Sequence, residues 1–151
     1  MNNPLSAKTI EIIKNSAYLV TSNDILITKR MYQIMFSKYP HFEKQFKNTP
    51  EDQYMKLAEA ISAYAMNIEK IERLKPALRI IARIHVKRNV LPSQYFKVGG
   101  VLLEAMEDVL GDRATLEFID AWREVYNYVA RILIEMESGF YRKKGEVKEL
   151  L

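Results

Sequence analysis

The sequence predicts an all-α fold of about six or seven amphipathic helices, and three observations carry that prediction. Apolar side chains recur at helical steps along nearly the whole chain. Gly 5 and Pro 5 among 151 residues are low counts, which favour long helices over a turn-rich β architecture. No stretch reads as a strand, and no internal repeat, low-complexity tract or linker interrupts the pattern. The expectation is one domain over residues 1–151, with a core over about 5–141 and a charged, frayed tail over 142–151.

Each element has its own signal. Ser6 can cap a first helix in which Ile10, Ile13, Ala17 and Val20 follow a helical step. Ser22 or Asn23 restarts the chain, and Ile25, Thr28, Tyr32, Met35 and Tyr39 share a face until Pro40 ends it. His41 to Asn48 is too short for a full helix and holds Phe42 and Phe46. Thr49-Pro50-Glu51-Asp52 is the clearest start signal: an N-cap, a proline at the first helical position, and two acids at the positive end of the dipole. That helix is expected to run to about Lys70, with Gln53, Leu57, Ala60, Ile61, Tyr64 and Ile68 inward.

The next helix opens near Pro76 and ends around Arg88–Asn89. Pro92 then starts a helix striped by Tyr95, Val98, Leu102, Met106 and Val109. Gly99-Gly100 in its middle costs roughly 0.8–1.0 kcal/mol per glycine relative to alanine, which suggests close approach by another helix or a flat ligand. Gly111-Asp112 breaks the chain before a long last helix. There Ile119, Trp122, Tyr126, Val129, Leu133, Met136 and Phe140 form one stripe with no break until Gly139. Glu137 sits one residue off that stripe, exposed or turned inward to a partner.

Composition narrows the function classes. Hydrophobic residues at 48% are too many for a disordered chain. The absence of cysteine excludes disulfides, thiolate metal sites and cysteine nucleophiles. The N-terminus lacks a basic region followed by an apolar run, and charge interrupts every apolar run before membrane-spanning length, so a soluble, cytoplasmic protein is expected. A net charge of +4 permits nucleic-acid binding, but the basic residues are not interleaved with aromatics, and neither nucleic acid nor membrane is an expected partner. No Gly-rich phosphate loop, zinc pattern or nucleophile-histidine-acid set is present.

What remains is the stretch Leu74 to Tyr95, which contains the only centrally placed histidine. Leu74, Leu78, Ile81 and His85 fall at i, i+4, i+7 and i+11 and line one helical face. An imidazole on an apolar face is either a buried histidine bonded to a neighbour or an axial ligand to a planar iron cofactor. Tyr32 has the same ambiguity, because a buried tyrosine hydroxyl normally finds a partner.

The motifs MYQIMFSKYP, FKNTPEDQYMKLAEAISAYAMNIE, IARIHV, LPSQYFKVGGVLLEAM, DAWREVY and IEMESGFY, in this order, resemble a globin. The resemblance is closest to the haem domain of bacterial flavohaemoglobins and their single-domain relatives, and it covers roughly Leu5 to Tyr141. It implies a three-over-three helical sandwich of six to eight helices enclosing haem b, with His85 as the proximal iron ligand. Phe46 matches the phenylalanine that packs on the macrocycle, and Ile81, Val90 and Val98 fall where the pocket wall is expected. Tyr32, Gln53 and Leu57 match the distal side, and Tyr95 and Glu137 match the tyrosine and glutamate that accompany the histidine.

The resemblance implies O₂ and NO as ligands, with CO and cyanide possible, in a monomer or homodimer. Two functions follow as expectations: nitric oxide dioxygenation driven by an external reductase, or reversible O₂ binding for storage, delivery or sensing. Tyr32 and Gln53 would donate to bound oxygen, while Glu137, steadied by Tyr95, would accept from the His85 imidazole. Lys87, Arg88 and Lys97 are candidate docking charges for the reductase. Three departures stand out: a short corner between Phe46 and Gln53, Ile84 where flavohaemoglobins commonly have lysine, and no room before Leu151 for flavin and nicotinamide domains.

Overall fold

A computed structural model of the chain describes residues 3–46 and 53–150, with side chains described as far as Gly145. The start signal at Thr49-Pro50-Glu51-Asp52 lies outside the described residues. Helices account for nearly all of the described backbone, as the apolar periodicity requires. They are α1 (Ala7–Asn15), α2 (Ala17–Thr21), α3 (Asp24–Lys38), α4 (Gln53–Met66), α5 (Lys75–Lys87), α6 (Pro92–Leu110) and α7 (Leu116–Leu150), with 3₁₀ turns at Pro40–Phe46, Ile68–Leu74 and Gly111–Arg113.

Local chemistry sets most of the boundaries. Ser6 caps α1 by accepting from the Thr9 N–H, and Glu124 on α7 accepts from the Ser6 N–H at 2.8 Å, which ties the start of α1 to α7. Pro40 cannot continue α3, so the chain tightens into the 3₁₀ turn that holds Phe42 buried. Asn89 turns the chain with φ 60 after α5, and Leu91 is extended before Pro92 opens α6.

Three expectations are corrected. The helix expected to reach Lys70 ends at Met66, where the Asn67 side chain takes the Ala63 carbonyl at 2.8 Å and the chain enters a 3₁₀ turn kinked at Lys70. Ile25 does not join the inward face of α3: it is 41% exposed, and Ile27, Thr28, Met31, Ile34 and Met35 are buried instead. Finally, α7 does not break at Gly139. Its backbone stays helical to Leu150, because a glycine within a helix costs only about 1 kcal/mol, too little to stop an established helix.

Packing follows from which faces are apolar. Helix α3 lies against α4 and α6, α1 and α5 lie against α7, and α6 also meets α7. Trp122, Val125 and Met106 are almost fully buried where α6 and α7 contribute to the core; each such side chain adds about 1.5–3 kcal/mol of hydrophobic stabilisation. The Gly99-Gly100 pair divides in two. A Cβ on Gly99 would stand 2.6 Å from the Tyr126 ring of α7, whereas one on Gly100 would meet nothing. Helix packing is therefore the reason for the first glycine.

Candidate functional site

The end of α5 and the start of α6 form a tight hairpin that sets His85 beside Tyr95. The Leu91 N–H donates to the Gln94 side chain at 2.9 Å, which satisfies a donor at the start of α6 and fixes its first turn. Tyr95 is consequently buried, with its ring 5.9 Å from the His85 ring. From α7, Glu137 turns inward and is only 3% exposed.

These three side chains make one hydrogen-bonded unit. The Tyr95 hydroxyl donates to Glu137 Oε2 at 2.6 Å. His85 Nδ1 lies 2.8 Å from the Tyr95 hydroxyl oxygen and 3.1 Å from Glu137 Oε2. A phenol has a single proton, and here the carboxylate receives it. The proton in the contacts to His85 is therefore the Nδ1–H of the imidazole, shared between two oxygen acceptors. This network assigns the Nδ1–H tautomer, so Nε2 keeps its lone pair, and among the described residues Nε2 has no hydrogen-bond partner. Burial first, then the bond to Glu137, pushes the Tyr95 hydroxyl well above its ordinary pKa, which keeps it a donor. The buried carboxylate is thus compensated by two donors.

Support for this unit extends outward. The Tyr126 hydroxyl donates to the Tyr95 carbonyl at 2.6 Å, and its ring occupies the space over Gly99. The Tyr141 hydroxyl donates to the Val90 carbonyl at 2.8 Å, joining α7 to the hairpin. Gln45 and Gln94 exchange amide hydrogen bonds at 2.8 and 2.5 Å, which fastens the 3₁₀ turn at Pro40–Phe46 to the same hairpin. Sequence periodicity does not show Tyr126, Gln45 or Gln94 as supports; each acts through a partner far away in the chain.

A second group is aromatic. The Tyr32 ring meets Phe36 at 5.6 Å and Phe46 at 5.3 Å, and Phe36 meets Phe46 at 5.3 Å, all edge to face. Phe36 lies one turn from Tyr32, but its place in this group is not distinguishable in the sequence from that of any other apolar residue of α3. The Tyr32 hydroxyl makes no hydrogen bond among the described residues. Burial raises its pKa to about 12, with Arg88 acting weakly in the opposite direction.

The remaining candidates are placed less tightly. Thr28 on α3 donates to the Tyr54 carbonyl at 2.8 Å, which docks the start of α4, and therefore Gln53, against α3. Gln53 is half-buried, and no hydrogen bond joins it to Tyr32 among the described residues. Leu57, Ile81, Val90 and Val98 are half-buried and pack on the edge of the core. Ile84 points outward and is 39% exposed.

With this geometry in hand, comparison with known proteins is decisive about the family. The globin family model matches residues 29–133, well over half of the chain. The chain is a globin. The all-α globin fold expected from the motifs is therefore the observed one. This globin is 43% identical over 137 residues to a globin-like protein of Aquifex aeolicus, covering 91% of this chain and 97% of that protein. It is 39% identical to a flavohemoprotein of Oceanobacillus iheyensis, covering 93% of this chain but 35% of the relative, so it spans about a third of that protein's length.

Among solved structures, an engineered carbene transferase from Rhodothermus marinus superposes with a TM-score of 0.90 at 30% identity, covering 93% of this globin and 99% of that chain. A bacterial globin from Campylobacter jejuni gives 0.82 at 30% identity, covering 91% and 99%. Globins form a haem-binding family, in which a proximal histidine holds the iron. Among the described residues, no helix of this globin is long and apolar enough to cross a membrane.

Proposed function

We propose that this globin binds haem b on His85 Nε2 and, given electrons by a reductase, converts NO and O₂ to nitrate. The overall conversion is balanced by one electron: NO + O₂ + e⁻ gives NO₃⁻. The observation that carries the reading is the pair of acceptors, Tyr95 and Glu137, on His85 Nδ1. The donor set suits haem. One imidazole nitrogen is free and oriented, and among the described residues no group of three or more His, Asp or Glu could hold a bare metal ion, so the macrocycle would supply the remaining ligands.

Haem, when bound, supplies an iron centre that takes diatomic ligands and changes by one electron. The chain's own residues do the rest. Glu137 and Tyr95 hold the proton on Nδ1 and fix the ring, which raises the basicity of Nε2. That push of electron density favours oxygen chemistry over simple carriage. Tyr32 offers a hydroxyl donor in a pocket of aromatic rings, where a hydrogen bond to a developing negative charge is strong. In this reading Gln53 is a second donor, Phe46 packs on the macrocycle, and Leu57, Ile81, Val90 and Val98 exclude water. The Rhodothermus relative, whose parent bears the name of a nitric oxide dioxygenase, supports the assignment. We place the whole in one domain with its core over residues 5–141, in the cytoplasm, as a monomer or homodimer.

A second reading is reversible O₂ binding, in which the Tyr32 hydroxyl, without a partner among the described residues, holds and releases the ligand by one hydrogen bond. The test is to supply haem-loaded protein with NO, O₂, NADH and a flavoprotein reductase, and to count nitrate. Many nitrates per chain are expected. Only one per chain, with every competent reductase tried, would leave an O₂-binding globin.

A further inference from the structure

The outward face of α5, the helix that carries His85, is strongly basic. No acidic residue lies between Glu72 and Glu104, whereas Lys75, Arg79, Arg83 and Lys87 follow one another at i, i+4 intervals along α5. This is a row of like charges on one side of a helix, a spacing at which they repel. All four are exposed, and none takes part in an ion pair among the described residues, although Lys8, Lys14, Arg30, Lys38 and Arg123 all do. Of the four, Arg83 alone makes an aromatic contact among the described residues, with its guanidinium 5.4 Å from the centre of the Phe140 ring. Beside this row runs a second one at the same spacing, Ile80 at 61% and Ile84 at 39% exposure.

We infer that this face of α5 is the docking surface for an acidic electron-donor protein, an inference that rests on the redox reading above. A basic row steers and orients a partner of opposite charge, and an adjacent apolar pair gives the contact that persists once water leaves. The location suits electron delivery. The rows lie on the back of the helix whose inner side holds the imidazole, so a docked partner comes within about one helix diameter, roughly 10 Å, of His85. Nucleic acid is the poorer match, because it has no use for two exposed isoleucines. A membrane surface needs a longer apolar face than one pair.

The test uses haem-loaded protein and a flavodoxin, an acidic flavin protein, as the probe. Carbodiimide cross-linking followed by peptide mass mapping reads the contact directly, and calorimetry at low salt reads affinity. Cross-links at Lys75 and Lys87 are expected, with binding that weakens as salt rises. Arg79→Glu with Lys87→Glu should weaken binding about tenfold or more, while Lys56→Glu on α4 should leave it unchanged. Arg79→Gln with Lys87→Gln provides a milder variant, and an unaltered haem spectrum certifies the fold of each.

No binding, cross-links confined to other lysines, or affinity indifferent to the α5 variants would overturn the inference. So would tighter binding to duplex DNA or to phosphatidylglycerol vesicles than to flavodoxin, in which case that surface would belong to those partners. Failure of NO turnover with docking intact would instead indict the dioxygenase reading alone.

Discussion

The two sides of the candidate haem pocket are built on opposite principles. Around His85 every polar group except Nε2 is spoken for: two oxygens meet Nδ1, Tyr95 donates to Glu137, and Tyr126 pins the Tyr95 backbone. Around Tyr32 the contacts are ring edges, and the hydroxyl is left without a partner among the described residues. A saturated network fixes one geometry and one tautomer, which is what an iron ligand requires. An aromatic box with one spare donor holds its shape by packing and leaves the hydrogen bond for whatever enters. The comparison teaches that the ligand-facing donor is the group the fold does not satisfy.

That contrast can be broken most severely at His85. His85→Ala should abolish axial binding of haem, seen as loss of the normal absorption spectrum on haem titration; a full, unaltered spectrum would refute the ligand assignment. Next comes the spare donor. Tyr32→Phe removes a hydrogen bond worth about 1.5–3 kcal/mol to a charged acceptor, so O₂ should leave roughly ten to a hundred times faster in flash photolysis. An unchanged rate would transfer the role to Gln53 or to no residue.

Glu137→Gln keeps the size of the side chain but removes the charge that steadies Nδ1–H, and should lower NO turnover about tenfold. Its particular signature is a fall in the iron–histidine stretching frequency in resonance Raman spectra. If O₂ binding is the only function, the frequency will move while O₂ release stays near normal.

Smaller effects test the supports. Gly99→Ala drives a methyl into the Tyr126 ring, whose hydroxyl is anchored on Tyr95, and should cost about 1–3 kcal/mol in denaturant unfolding. Gly100→Ala meets no atom and should stabilise by about 0.5–1 kcal/mol. The alkaline response is confined to high pH. Burial raises Tyr32 and Tyr64 from 10.0 to about 12, so the native state holds their protons longer than the unfolded chain does. Their contribution is intact below pH 10 and is lost as pH rises toward 12, so thermal midpoints should fall in that window. Tyr32→Phe should flatten part of the slope.

Much of this architecture follows from the chain read alone. Apolar stripes at helical spacing specify the helices, Pro40 and Pro92 set boundaries, and Ser6 begins α1, because each of these acts within a few residues of itself. The motifs around His85, Tyr95 and Glu137 carry the resemblance to a globin in the sequence itself. Tertiary structure decided the rest. Periodicity left Glu137 free to face either way; only the donors of Tyr95 and His85, on other helices, draw a carboxylate into the interior. Gly99 and Gly100 are indistinguishable as neighbours in a sequence, yet just one faces the ring of Tyr126. The passage of α7 through Gly139 has the same origin, whereas α4 ends at Met66 on a local bond from the Asn67 side chain. Helix propensities differ by only about 1 kcal/mol per residue, so packing against partners distant in the chain determines where a helix stops and which side of it is inside.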